Sequence, residues 1–238
     1  MLRFISLFFF LAVIFVNYLA NSLPLNGNTT GQVSAAYPNL FVPAGITFAI
    51  WGIIYLLLAA YCIVQFLPAS KDIPGHIGWL FIISCVFNII WLFAWHYQKL
   101  PLSLLLMTGF LVSLIMINLQ LKELPLGVLK ASFGVYLGWI CIATIANVTA
   151  LLADAGWGGM GISQEAWTIV MIAIGTLIVS LAVIRVDNPF IGLSVVWAFT
   201  GIIIKRSADY RSIVIAAALG ILVVGIFTTM GFLGKKIA

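Results

Sequence analysis

The chain has 238 residues, of which 64% are hydrophobic and only 7% are charged, with a formal net charge of +5. A soluble domain is roughly 25% charged, and the mean hydropathy of this chain is +1.23. This composition excludes an ordinary soluble protein and predicts an integral membrane protein. The basic residues are scattered over predicted helix ends, so they do not indicate nucleic-acid binding.

Eight apolar segments predict membrane-spanning helices, because a spanning helix needs about 20 mostly apolar residues. Short loops that carry nearly all the charge separate these segments, which predicts an all-α, polytopic helical membrane bundle. The predicted spans are residues 4–21, 44–67, 77–97, 101–121, 126–152, 166–185, 189–204 and 212–233. The seventh has only about 16 residues, near the lower limit for a span. We therefore expect seven or eight crossings.

The first span resembles a cleaved signal peptide, since Arg3 precedes an apolar run that small residues follow. Its length and Asn17 favour a retained helix instead, because an amide within a membrane usually has a partner in the bundle. Three cysteines lie inside predicted spans, where no disulfide framework is expected. They are Cys62, Cys85 and Cys141.

The basic residues predict the orientation of the chain, because cytoplasmic loops carry an excess of lysine and arginine. With eight spans, seven basic residues lie on the side of the N-terminus and four on the other side. The seven are Arg3, Lys71, Lys122, Lys130, Arg185, Lys235 and Lys236, and the four are Lys99, Lys205, Arg206 and Arg211. We predict a multi-pass protein of the cell membrane with a cytoplasmic N-terminus.

Aromatic residues and amides recur at helical spacing in three of the spans. The stripes consist of Phe48, Trp51 and Tyr55 in the second span, of Asn88, Trp91 and Trp95 in the third, and of Tyr136, Trp139, Ala143 and Asn147 in the fifth. Such stripes can line a shared apolar pocket or can simply hold helices together. Four tryptophans near span ends are better interpreted as residues of the interfacial belt, namely Trp79, Trp95, Trp157 and Trp167.

Acidic residues are absent from the middle of every predicted span. Ion-coupled transporters commonly carry such groups at membrane depth, so an ion-coupled mechanism is less favoured. Paired carboxylates for acid–base catalysis are missing as well. His76 and His96 lie at different helix ends without other metal-ligating residues at suitable spacing, which predicts interfacial histidines and no metal site.

The stretch YPNLFVPAGITFAIWGIIY, residues 37–55, resembles the signature of the TspO/MBR family, the translocator proteins or tryptophan-rich sensory proteins. In that family K-P-x-W-x-P-P precedes V-W-x-x-L-Y, and this chain has Pro38, Pro43, Trp51 and Tyr55 at the matching places. The resemblance implies that the loop with Pro38 and Pro43 forms a lid over a pocket for flat hydrophobic molecules.

Two further motifs of the family follow in the same order. Its N-x-x-W motif is matched by Asn88 and Trp91, and its P-Y-x-x-W-x-x-x-A-x-x-x-N motif by the stripe of the fifth span. The resemblance covers residues 1–155 as a five-helix unit. It leaves residues 156–238 as a C-terminal transmembrane extension of about three helices, beyond the glycine-rich stretch 153–163. It implies a ligand site formed by Trp51, Tyr55, Asn88, Trp91, Tyr136, Trp139, Ala143 and Asn147.

The chain departs from the family pattern at four places, which are Tyr37, Leu40, Val42 and Val135. The residues after Asn147 contain neither tyrosine nor a basic residue before residue 158, so cholesterol binding at that site is not expected. The resemblance implies a porphyrin or haem-like tetrapyrrole as ligand, with no required cofactor.

The main hypothesis is therefore a membrane protein that binds a planar hydrophobic ligand in a sensory, binding or transport role. One alternative is a small-molecule transporter or permease that uses all eight helices. Another is an enzyme that degrades porphyrin in light, which is less favoured because the spans lack acid–base and nucleophilic side chains. The expected partners are the lipid bilayer and the small ligand. The oligomeric state stays open, with a homodimer as one option.

Overall fold

The computed structural model describes residues 1–23, 25–67, 73 and 75–234. Over these ranges the regular structure is entirely helical, so the predicted all-α polytopic fold class is confirmed. The α-helices are α1 (Leu2–Ser22), α2 (Thr30–Ala36), α3 (Ile50–Val64), α4 (Ile77–His96), α5 (Leu100–Gln120), α6 (Val128–Asp154), α7 (Gln164–Val186), α8 (Phe190–Arg206) and α9 (Arg211–Phe232).

Each predicted span corresponds to one of these helices, with ends close to the predicted ones. A 3-10 turn, Gly45–Ala49, precedes α3 and continues directly into it. The short helix α2 lies in what the sequence indicated as a loop. Three of the basic residues used to predict the orientation lie outside the described residues, namely Lys71, Lys235 and Lys236.

Seven helices of the described part of the chain are long and apolar enough to cross a membrane. The remaining long helix, α8, has 17 residues, which at 1.5 Å per residue is about 25 Å. The chain is therefore an integral membrane protein. Many large apolar side chains on the outer faces of the bundle are exposed, such as Leu177 and Leu219, as expected of surfaces that contact lipid.

Local sequence signals define several helix ends. Thr29 and Gln32 form a capping box at the start of α2, in which each side chain bonds the other residue's backbone N–H. Pro101 lies in the first turn of α5, where its missing N–H costs nothing. Asp187 ends α7 in a left-handed conformation with φ of 53°. These signals fix where the helices begin and end.

Helix α6 is the centre of the bundle and packs against helices on two sides. On one side α3 and α5 pack directly against α6, α4 packs against α5, and α1 packs against α4 and α3. Helices α1, α3 and α4 border the cavity described below. On the other side α8 packs directly against α6, α9 packs against α8, and α7 packs mainly against α9. Glycines allow the close approach of α8, since a Cβ at Gly138 of α6 would collide with the backbone carbonyl of Ile191.

Helix α8 runs from one end of the bundle to the other. Next to its start, the Nδ2 of Asn188 donates to the Oδ1 of Asn118, near the end of α5, at 2.8 Å. At its other end, Arg206 donates to the backbone carbonyls of Asn39 and Leu40, in the loop before α3. The end of α5 and this loop lie at opposite ends of the bundle, because α5 begins at the end near the loop.

A buried lysine strengthens the first of these junctions. Lys130 is only 3% exposed, and its Nζ donates to the carbonyl oxygens of Lys122 and Asp187, each at 2.8 Å. The Asp187 carboxylate lies 3.7 Å from the same nitrogen. Burial of an ammonium group is costly unless several acceptors surround it, and here three oxygens from two loops do so. The α7–α8 connection is therefore fixed to α6.

Candidate functional site

Trp51 lies where the aromatic stripes of α3 and α6 meet. Its ring centroid is 5.7 Å from that of Tyr55 in a stacked arrangement, 6.1 Å from Tyr136 and 6.2 Å from Trp139, both edge to face. Phe48 contacts Trp139 edge to face at 5.9 Å. The stripes predicted from helical spacing therefore face one another in the interior.

A wide cavity of about 320 Å³ lies between α1, α3 and α4. Tyr18 and Asn21 of α1, which line this cavity, are exposed, so the cavity reaches the surface of the bundle beside α1. Its lining residues are Ile14, Asn17, Tyr18, Asn21, Ser22, Thr30, Gly31, Phe48, Trp51, Tyr55 and Trp91.

A narrow cavity of about 50 Å³ continues from the wide one toward α6. The two cavities share Thr30, Phe48, Trp51 and Trp91 in their walls. The remaining residues of the narrow cavity are Ser34, Pro43, Trp95, Trp139, Ile142, Ala143, Ala146 and Asn147. We call the two together the aromatic cavity, since four tryptophans line it.

Six of the eight predicted ligand-binding residues line the aromatic cavity, which are Trp51, Tyr55, Trp91, Trp139, Ala143 and Asn147. The other two, Asn88 and Tyr136, lie behind its wall. There the Nδ2 of Asn17 donates to the Oδ1 of Asn88 at 3.0 Å, and the Nδ2 of Asn88 donates to the Tyr136 hydroxyl at 2.9 Å. This chain of hydrogen bonds joins α1, α4 and α6, so α1 is an integral helix of the bundle.

Three polar groups in the wall have no hydrogen-bond partner among the described residues. They are the indole N–H groups of Trp91 and Trp139 and the hydroxyl of Tyr55. Trp91 and Trp139 are 5% and 4% exposed, and a buried donor without a partner costs about 1–3 kcal/mol. A bound molecule with acceptor atoms can satisfy these donors. Asn147, in contrast, exchanges hydrogen bonds with the Ser103 hydroxyl at 3.0 and 3.3 Å.

The wall of the aromatic cavity carries no carboxylate, amine, guanidinium or imidazole among its described residues. No group of histidines, cysteines and acids in the described part of the chain is arranged to hold a metal ion. The cavity therefore favours an uncharged or largely apolar ligand, and the ionisable side chains among its described wall residues are those of Tyr18 and Tyr55.

Helix α2 covers the aromatic cavity and is held on the end of α4. The Nε1 of Trp95 donates to the carbonyl oxygen of Thr30 at 3.3 Å, and the Thr30 hydroxyl lies 3.4 Å from the Nε2 of His96. The Nδ1 of His96 is 2.8 Å from the carbonyl oxygen of Leu92, so His96 is buried in this contact. Trp95 and His96 are both buried beneath α2, so neither side chain is exposed at the end of α4.

The loop after α2 is held by α8. The backbone N–H of Ala44 donates to the carbonyl oxygen of Gly201 at 3.0 Å, and the Trp197 Nε1 donates to that of Thr47 at 2.8 Å. Pro43 is buried between α8 and the narrow cavity, whereas Pro38 is exposed and lines two other cavities. The lid of the aromatic cavity thus consists of α2 and residues 43–48, fixed to α4 and α8.

A family model described as TSPO-like protein matches residues 3–230 of the chain. The chain belongs to the TSPO-like protein family. The family predicted from three motifs is confirmed, and the match continues past residue 155 through α7, α8 and most of α9. The division into residues 1–155 and 156–238 stays a prediction. No curated protein and no solved structure matches the chain significantly.

In this TSPO-like protein the positions that depart from the family signature are mostly filled by buried residues. Tyr37, Val42 and Val135 are each less than a tenth exposed. The ring of Tyr37 packs 6.1 Å from that of Trp95. Burial, and to a smaller extent the carboxylate of Asp154, raises the pKa of Tyr37, so a neutral phenol stands where the signature has a lysine.

Several wall residues of the TSPO-like protein were not predicted as site residues. Phe48 and Trp95 lay on the predicted stripes, and helical spacing alone could have included them. Thr30 and Ser34 come from α2, and Tyr18 and Asn21 come from α1. No spacing relates these polar residues to the aromatic stripes, because they reach the cavity only through the folding of the loop and the packing of α1 against α3 and α4.

Proposed function

We propose that this TSPO-like membrane protein binds a planar hydrophobic ligand, such as a porphyrin, in the aromatic cavity. The observation that carries the proposal is a wall of four tryptophans in which two buried indole N–H groups lack partners. Aromatic rings stack on a flat macrocycle, and the free donors orient its acceptor atoms. The wide cavity, at about 320 Å³, is at the lower end of the range for small-molecule sites, roughly 300–1,000 Å³.

The ligand reaches the cavity from the bilayer, between α1 and α3. The lid is bonded to α4 and α8 on its two sides, whereas Tyr18 and Asn21 are exposed beside the opening. Lipid-soluble ligands concentrate in the bilayer, so a lateral opening suits them.

Titration with protoporphyrin IX tests the proposal, using intrinsic fluorescence to obtain the Kd. We expect quenching at micromolar concentrations for the wild-type protein. The double variant Trp51→Phe, Trp139→Phe loses stacking area and one free donor, which together weaken binding about tenfold. Trp79→Phe is the matched control, since Trp79 is 55% exposed on α4 and lies outside the cavity wall. An unchanged Kd in the double variant would contradict the proposal.

Transport of the ligand is a second candidate role. It is favoured by α8, which runs the full depth of the bundle and binds both α6 and the lid. A movement of α8 would therefore move the lid. Uptake of porphyrin by liposomes that contain the full chain distinguishes transport from binding alone. A protein that only binds or senses the ligand retains no more porphyrin than the protein itself binds.

Light-dependent degradation of bound porphyrin is a third candidate. The four tryptophans in the wall are oxidisable side chains next to the ligand, whereas the described wall residues include no carboxylate, lysine or histidine. The chemistry would then be photochemical. Loss of the porphyrin absorbance under illumination, with none in darkness, is the result that supports this activity, and equal absorbance in both conditions rejects it.

The orientation and assembly are part of the same proposal. The N-terminus is placed in the cytoplasm and the protein in the cell membrane, because the excess of basic residues lies on the N-terminal side. The proposed assembly is a homodimer, which a measurement of the mass of the protein in detergent tests.

A further inference from the structure

A second cavity lies on the outer face of the loop that α8 holds. It has a volume of about 220 Å³ and is bounded by the end of α2, the loop after it, the first residue of α7 and the end of α8. Its lining residues are Ser34, Ala35, Tyr37, Pro38, Asn39, Leu40, Val42, Gln164, Lys205 and Arg206. We call it the basic cavity, since two adjacent cations and no acid line it.

Among the described residues no carboxylate forms an ion pair with the two cations of the basic cavity, and the carboxylate of Asp209 acts on Arg206 only from beyond 4 Å. Among the described residues, the one ion pair within 4 Å joins Lys130 to Asp187, at the opposite end of the bundle. Arg206 donates from Nε to the carbonyl oxygen of Leu40 at 3.0 Å and from Nη2 to that of Asn39 at 3.1 Å. These bonds fix the guanidinium group in place without removing its charge. The cavity thus presents a positioned positive charge from Arg206 and an exposed one from Lys205.

A smaller apolar cavity of about 100 Å³ adjoins the basic cavity. The two share Pro38, Asn39, Leu40 and Gln164 in their walls. Trp157 and Trp167 line the apolar one, with ring centroids 4.9 Å apart, and the buried indole N–H of Trp167 has no partner among the described residues. A positive site and an aromatic apolar site are therefore continuous at the ends of α6, α7 and α8.

We propose that the basic cavity binds the phosphate headgroup of an anionic membrane phospholipid, with the adjoining part of the lipid against Trp157 and Trp167. Arginine and lysine together suit a phosphate, since the guanidinium group offers paired donors and the ammonium group adds charge. Tryptophans at helix ends lie at the depth of lipid headgroups. A soluble anion would not need the apolar neighbour, so a lipid explains both cavities.

Native mass spectrometry of the full chain in detergent tests this site, with phosphatidylglycerol and phosphatidylcholine as the two probes. We expect the wild-type protein to retain phosphatidylglycerol and to retain phosphatidylcholine weakly. Lys205→Gln removes one charge and lowers phosphatidylglycerol binding about fivefold. Arg211→Gln, a loss of charge at the same end of the bundle but outside the cavity wall, leaves binding unchanged.

A second variant separates a loss of the site from a loss of the fold. Gln164→Glu places a negative charge in the cavity wall at the start of α7, where an acidic side chain favours the helix, so it lowers lipid binding in a folded protein. Protoporphyrin binding stays at the wild-type level in both cavity variants. Retention of phosphatidylglycerol at the wild-type level by both variants would overturn the proposal. So would an equal loss of binding in Arg211→Gln, or binding of phosphatidylcholine as strong as that of phosphatidylglycerol. Displacement of the lipid by millimolar inorganic phosphate also overturns it, because the site would then be one for soluble anions.

Discussion

Asn88 connects three helices behind the wall of the aromatic cavity. It is fully buried, accepts a hydrogen bond from Asn17 and donates one to Tyr136. Asn88→Leu leaves the Asn17 amide and the Tyr136 hydroxyl without these partners. Hydrogen bonds between membrane helices contribute roughly 0.6 kcal/mol on average and up to about 1.7. We therefore expect the free energy of unfolding in detergent to fall by about 1–2 kcal/mol.

Asn21→Ala is the matched control for this prediction. Asn21 lies on the same helix as Asn17, is exposed, and donates only to the carbonyl oxygen of Asn17. Its loss should change the free energy of unfolding by less than about 0.5 kcal/mol. Equal effects of the two substitutions would mean that the buried hydrogen bonds of Asn88 contribute no more to the free energy of unfolding than the hydrogen bond of an exposed amide.

Helix α8 packs so closely against the turn before α3 that no side chain fits at Gly201. A Cβ built there would collide with the hydroxyl of Thr47 and would lie 3.0 Å from the Cβ of Pro43. Gly201→Ala must therefore push the loop away from α8, at a cost of about 1–3 kcal/mol. We expect a lower Tm and faster amide hydrogen exchange over residues 39–47.

Gly225→Ala provides the comparison within the same group of helices. Gly225 lies in α9, and a Cβ there meets nothing within 4 Å. Alanine is a better helix former than glycine by roughly 0.5–1 kcal/mol, so this substitution should leave the Tm unchanged or raise it. A fall in Tm as large as that of Gly201→Ala would show that any added methyl group disturbs these helices, and that the contact with the loop is not special.

Helical spacing predicted the stripes of α3, α4 and α6 because each is a local pattern within one helix. The position of Trp95 near a span end favoured the interfacial belt, and nothing nearby in the sequence indicates that α2 folds back over it. The contact of Trp197 with Thr47 joins residues 150 positions apart. Such contacts depend on how distant helices pack, so the bonding of the lid to α8 could not be predicted from composition or periodicity.

For the whole molecule, the crossing of α8 decides where the last loop lies. Residues 207–210 follow α8 on the same side as the loop after α4 if α8 spans the membrane, and on the opposite side if it does not. The structure brings the end of α8 to the loop before α3, which lies at the end of the bundle where α4 ends. We therefore predict eight crossings, even though α8 is shorter than the seven helices that are long enough to span a membrane.

Cysteine labelling with a membrane-impermeant maleimide tests this arrangement in intact cells. Cys62, Cys85 and Cys141 are buried, so the wild-type chain supplies a low background for single introduced cysteines. Lys99→Cys and Ala208→Cys lie in exposed loops at one end of the bundle, and Lys122→Cys lies in an exposed loop at the other. With eight crossings and a cytoplasmic N-terminus, the first two are labelled from outside and Lys122→Cys only after the membrane is permeabilised.

The pattern of labelling tests separately whether α8 crosses the membrane and on which side the N-terminus lies. If Ala208→Cys behaves like Lys122→Cys, α8 does not cross and the contact between Arg206 and the lid cannot exist in the membrane. If all three results are inverted, α8 crosses but the N-terminus is outside, and the basic residues Lys205, Arg206 and Arg211 then face the cytoplasm. In that second case the basic cavity would meet the leaflet whose anionic lipids attract such clusters, so the orientation also determines which leaflet supplies the lipid.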